Sequence, residues 1–167
     1  MEEIIIGFSK SKKKFALYAW LIMWIEKTDF SHVYIKWHSD SLDRNIYYQA
    51  SGTAVNFMAQ HIFEDHHVPV HEIKLSVTPE QKKLIVQFAM DNVGVPYGLK
   101  PAFGIALVKI AAIFGKKIKN PFSDGVGTEF CSELGARILG ILGHDLKEDY
   151  DSFGPGELYD FMLKNIV

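Results

Sequence analysis

The chain holds one cysteine, Cys131, in the segment Gly127-Thr-Glu-Phe-Cys-Ser-Glu-Leu134, where an extended stretch gives way to helical spacing. The first turn of a helix offers unpaired N–H groups and the positive end of the helix dipole, and both favour thiolate over thiol. Glu129 and Glu133 act against that, so a cationic partner is needed. His32 is the candidate, in Phe30-Ser-His-Val-Tyr-Ile35 at the mouth of a predicted strand. An imidazole that takes a thiol proton, and a sulfur that then attacks an acyl carbon, are the two halves of a cysteine-hydrolase site. The Cys131 N–H can serve the resulting oxyanion.

Such a base wants a third group to hold its ring. Tyr47-Tyr48-Gln49-Ala50 offers Gln49, which lies beside His32 if the two predicted strands pair antiparallel. Its amide oxygen can accept the second ring N–H, but unlike a carboxylate it adds no charge to stabilise imidazolium. Tyr97, after the turn Gly94-Val-Pro, is a candidate oxyanion donor or substrate contact. Taken singly, each residue has a plainer reading: a small buried apolar side chain for Cys131, a strand-end histidine, a strand glutamine, a half-buried tyrosine. His38, His61, His66, His67, His71 and His144 fall in predicted loops or at element ends. Glu64, Asp65, His66, His67 and His71 form a polar cluster without regular ligand spacing, read as a solvated loop, and no metal is assigned.

The elements that must position these residues follow from periodicity. Glu3–Phe8, His32–Trp37, Asn45–Ala50, Ala54–Met58 and Val70–Val77 read as strands, the middle pair joined by a turn at Ser51-Gly52. Lys13–Glu26 is apolar at helical spacing and reads as a core helix. Thr78-Pro-Glu-Gln81 is a helix start with a capping box and proline at the first position, and that helix runs to about Val93, stopped by Gly94. Phe103–Phe114 reads as a core helix, Lys119–Gly127 as a loop, Cys131–Leu142 as a helix ended by Gly143, and Glu157–Asn165 as a last helix. Strands gather in the first half and helices in the second. This predicts an α+β fold, an antiparallel sheet packed by helices.

A length of 167 residues, with no linker or repeat, predicts a single domain over 1–167. A net charge of −2 makes no case for nucleic acid, and the lysine clusters at 10–14 and 116–119 read as solvated faces. One cysteine cannot form an internal disulfide, which suits a reducing compartment. Met1-Glu2-Glu3 is unlike the basic start of a signal peptide, and the apolar runs fall short of the roughly 20 residues that span a bilayer. The expected location is therefore cytoplasmic.

Together and in this order, Ser31-His32-Val33, Gln49-Ala-Ser-Gly52, Gly94-Val-Pro-Tyr97 and Phe130-Cys131-Ser-Glu-Leu134 resemble the circularly permuted branch of the NlpC/P60 superfamily of papain-like cysteine hydrolases, with the YiiX/YaeF-like group the nearest in pattern. The histidine precedes the cysteine, as permutation requires. The resemblance implies a permuted papain-like fold with a helical insert at about 99–127, Cys131 as nucleophile and His32 as base. The Gln49 position is often acidic in that group, so the chain departs there. It further implies amide cleavage through a thioester, with no metal or organic cofactor and a peptide or peptidoglycan substrate. A phage or intracellular setting fits a wall enzyme without an export signal. The lecithin:retinol acyltransferase-like relatives imply a second expectation, an acyl-lipid substrate. The insert, apolar over 102–114 and closed by Lys116, Lys117 and Lys119, would then give peripheral membrane contact. A third expectation is a non-catalytic binding module, favoured by Gln49 in place of an acid.

Overall fold

The computed structural model describes residues 1–13, 17–98, 104, 107–108, 110–112, 114–119, 130–144, 146 and 153–167. The elements are β1 (Glu2–Ser11), α1 (Leu17–Glu26), β2 (His32–Ser39), β3 (Arg44–Ser51), β4 (Ala54–Ala59), α2 (Gln60–His66), β5 (His67–Val77), α3 (Pro79–Asp91), α4 (Cys131–Ile141) and α5 (Pro155–Asn165). The strands form one antiparallel sheet in the order β4-β3-β2-β1-β5, as the α+β pattern predicts. Among the described residues no helix is long and apolar enough to cross a membrane.

Side chains alternate along a strand, so each strand supplies two faces. Ile4, Ile6 and Phe8 of β1, Val33, Ile35 and Trp37 of β2, Tyr48 and Ala50 of β3, and Ile73, Leu75 and Val77 of β5 share one apolar cluster with α3, α4 and α5. Gly135 sets how closely α4 sits. A Cβ there would lie 2.6 Å from Leu158 Cδ2 and 3.3 Å from Val33 Cγ1. The opposite face is aromatic and partly polar. Tyr34, Tyr47 and Phe63 of α2 form a separate buried cluster with Met58 against it. Tyr34 fits because Gly7 below it has no Cβ; one would overlap the ring.

Local chemistry explains several boundaries. Thr78 Oγ1 accepts from the Gln81 N–H at 3.2 Å and Gln81 Oε1 accepts from the Thr78 N–H at 2.9 Å, the capping box that opens α3. The β3–β4 hairpin turns at Gly52, whose φ of +69° is strained for residues with a Cβ.

Three expectations change. The stretch 60–66 is the helix α2 rather than a loop, and β5 starts three residues early, at His67. The described part of the predicted Lys13–Glu26 helix is α1, and it is not a core helix: none of Ala19–Glu26 is buried. The predicted helix over 103–114, the loop 119–127 and the insert at 99–127 fall largely outside the described residues. Within them 104, 107–108 and 110–112 are helical.

Candidate functional site

His32 opens β2 and points to the aromatic face with Tyr34, while Val33 between them faces α4. Gln49 lies on β3 and points the same way as His32. His32 Nε2 and Gln49 Oε1 are 2.6 Å apart, with both residues buried. An amide oxygen only accepts, so Nε2 carries the hydrogen and the lone pair of the neutral ring is on Nδ1. Gln49 Nε2 in turn reaches Met58 Sδ at 3.5 Å, which helps hold that amide orientation.

The imidazole is one end of a column of rings. His32 stacks on His67 at 4.8 Å, His67 on Phe63 at 4.8 Å, and Phe63 on Tyr47 at 4.6 Å. This enclosure decides the protonation state. Burial, reinforced by the neighbouring His67, lowers the His32 pKa to about 3 against the hydrogen bond that the ring donates to Gln49. Burial also lowers His67, to about 4, with help from the charges of His66 and Lys13. Both rings are neutral at pH 7. Further along this face Glu72 accepts from Tyr34 at 2.6 Å and from Lys36, and these bonds outweigh its burial to keep it ionised.

Cys131 is the first residue of α4 and is 4% exposed. The preceding Phe130 has no polar side chain to cap the helix. The sulfur takes that role, meeting its own N–H and that of Ser132. It also meets the N–H of Val33, the residue after His32. The β2–β3 ladder ends at Ile35–Tyr48, so this N–H lies beyond the last rung. Three N–H groups favour thiolate, but burial dominates and, with the charge of Glu26, pushes the thiol up to about 11. The resting site is therefore thiol plus imidazole, not an ion pair. Among the described residues no hydrogen bond joins the His32 ring to the sulfur.

The surroundings anchor this helix start. Ser132 Oγ donates to the Phe153 carbonyl at 2.6 Å. Glu133, expected to oppose the thiolate, is buried against Arg137, with Nη2 at 2.7 Å from its carboxylate. The acidic residue that acts on the sulfur is instead Glu26, from α1, whose carboxylate accepts from the Gly156 N–H at 2.7 Å. Glu129 lies outside the described residues. Tyr97 donates its backbone N–H to Thr53 O at 2.9 Å, in the β3–β4 turn, and its ring packs on the apolar core. The register carries that turn to the His32 end of the sheet.

The structure thus brings His32 and Gln49 into direct contact and puts Cys131 against the main chain beside them. Sequence reasoning set aside His67 as an element-end residue and missed α2, whose Phe63 stacks on His67, the ring that lies against His32. The one available signal was Phe63, a lone aromatic in a polar stretch, too little to mark a helix of seven residues. The polar cluster of Glu64, Asp65, His66, His67 and His71 is split between α2 and β5, and among the described residues no group of three or more His, Cys, Asp or Glu can hold a metal ion. No protein-family model, no curated protein and no solved structure matches the chain.

Proposed function

We propose that the chain is a cysteine acyl hydrolase on a circularly permuted papain-like fold, cleaving an amide through a thioester. The observation that carries this reading is the buried His32–Gln49 pair, whose Nε2–H is spent on Gln49 at 2.6 Å. That bond leaves the Nδ1 lone pair to act as the base, and the next residue, Val33, gives its N–H to the Cys131 sulfur. In the proposed reaction Nδ1 takes the thiol proton as the sulfur forms a bond to the carbonyl carbon. The carbonyl π electrons move to oxygen, and the Cys131 N–H and the Tyr97 hydroxyl stabilise that charge. The intermediate then collapses: the C–N bond breaks and the imidazolium gives its proton to the departing amine. Water, deprotonated by the same nitrogen, cleaves the thioester and restores the thiol. Gln49 holds the ring tautomer throughout. The neutral resting pair means that the proton must move during the attack rather than before it.

A second reading is favoured by the sulfur itself, 4% exposed and raised to about 11, the environment of an inert structural cysteine. On that reading the domain binds a partner and performs no chemistry. Labelling with an epoxide probe separates the two. The hydrolase reading expects labelling of the native chain at Cys131, none in Cys131→Ala or His32→Ala, slower labelling in Gln49→Ala, and unimpaired or faster labelling in Gln49→Glu. Equal labelling of native protein and His32→Ala would remove the base assignment. Absence of labelling in a folded native chain favours the binding module.

A further inference from the structure

Helix α1 has the sequence Leu-Tyr-Ala-Trp-Leu-Ile-Met-Trp-Ile-Glu, apolar around its whole circumference. A helix of that kind in a water-soluble domain is ordinarily enclosed. This one is not. Among Ala19–Glu26 no residue is buried, and Trp20 and Trp24 are 57% and 59% exposed. The two indoles, one turn apart, lie nearly parallel with centroids 6.4 Å apart and make an aromatic plate. The third tryptophan, Trp37, is 6% exposed, as expected of a core residue.

Basic residues flank α1 along the sequence. Exposed Lys10, Lys12 and Lys13 lead into the helix, and exposed Lys27 follows it. Two carboxylates lie among them. Glu26 accepts from the Gly156 N–H at 2.7 Å and Asp29 lies 3.5 Å from His71. We propose that α1 is a docking surface for an anionic lipid bilayer. Its indoles would enter the headgroup boundary and the flanking lysines would meet lipid phosphates. Indole suits that boundary because it is a large apolar body with one polar N–H. Tryptophans with lysines on both sides fit a negatively charged interface better than a second copy of the chain. A two-fold contact would pack the patch on itself and bring lysines against lysines. This surface does not depend on the acyl-hydrolase reading, although the Glu26 charge acts on the Cys131 thiol.

Sedimentation of the full chain with vesicles tests it. Phosphatidylcholine vesicles with about one-third phosphatidylglycerol should bind the chain, pure phosphatidylcholine should bind it weakly, and added salt should release it. Trp20→Ala with Trp24→Ala should weaken binding about a hundredfold, about tenfold for each indole removed from the interface. Lys12→Glu with Lys13→Glu should weaken it by about thirtyfold or more. Indole emission should shift to the blue with anionic vesicles only. All four side chains are exposed, so thermal unfolding should not change, and Cys131→Ala should bind as the native chain does. The proposal is overturned if the native chain ignores anionic vesicles, or if the double tryptophan variant binds undiminished. It is equally overturned if the native chain is a dimer that this variant dissociates, or if Lys116→Glu with Lys117→Glu alone abolishes binding.

Discussion

The two faces of the sheet are built from alternate residues of the same strands, yet they do different work. The α3–α4–α5 face is close-packed aliphatic and aromatic carbon, with Gly135 admitting α4 to Val33. Its contribution is mainly apolar burial, which responds little to pH. The α2 face buries hydrogen-bonding and titratable groups: His32 on Gln49, Tyr34 on Glu72, and His67 within the ring column. Its stability depends on protonation state. The comparison teaches that one face holds the fold while the other sets the chemistry of a histidine. Cys131 belongs to the first face, and its sulfur reaches the strand main chain next to the second.

The largest blow to this contrast should come from Phe63→Ala. Phe63 is fully buried among Tyr34, Tyr47 and His67, and its loss should cost about 4 kcal/mol in urea unfolding at pH 7. It should also open the His32 pocket to water, so the acid sensitivity described next should shrink. On the dry face Leu134→Ala should cost about 3 kcal/mol, equally at pH 7 and pH 5. A cost that changed between the two pH values would break the comparison.

Acid should act through the histidine face. His32 has a folded pKa near 3 against an ordinary 6.5, so between those values the unfolded chain binds a proton that the folded chain refuses. Stability is therefore whole above pH 6.5 and falls as pH drops toward 3. From pH 7 to 5 the His32 part amounts to about 2 kcal/mol. His67, also depressed but part-exposed, adds less. Urea unfolding of His32→Phe should show the slope reduced by that amount, and an unchanged slope would mean that the ring titrates normally. The smallest effect expected is that of Gln49→Leu, about 1–2 kcal/mol at pH 7, because it leaves the buried Nε2–H without an acceptor.

Much of this arrangement can be read from the residues. Alternation marks β2 and β3, the Thr78–Gln81 box marks α3, and antiparallel pairing of two short strands is enough to bring Gln49 to His32. Other parts depend on tertiary partners that a local pattern does not encode. Helix α2 is seven residues long with Phe63 its one buried side chain, too short for a helical period to emerge. Helix α1 shows the opposite problem. Its uniform apolarity predicts a helix, but an all-round apolar surface does not say which side meets the domain, and here none of Ala19–Glu26 is fully buried. The protonation states of His32 and Cys131 were likewise hidden, since both follow from burial supplied by distant elements.

The most direct measurement is the pH dependence of Cys131 acylation by an activated ester such as p-nitrophenyl acetate, followed by mass spectrometry in native protein and in His32→Ala. With a thiol near 11 and an imidazole near 3, neither group changes state between about pH 6 and 9. Base-assisted attack then predicts a rate nearly flat across that range, falling by about a hundredfold or more in the variant. A native rate that climbs about tenfold per pH unit, and that His32→Ala leaves unchanged, is ordinary thiolate chemistry and would contradict the assignment of His32 as the base.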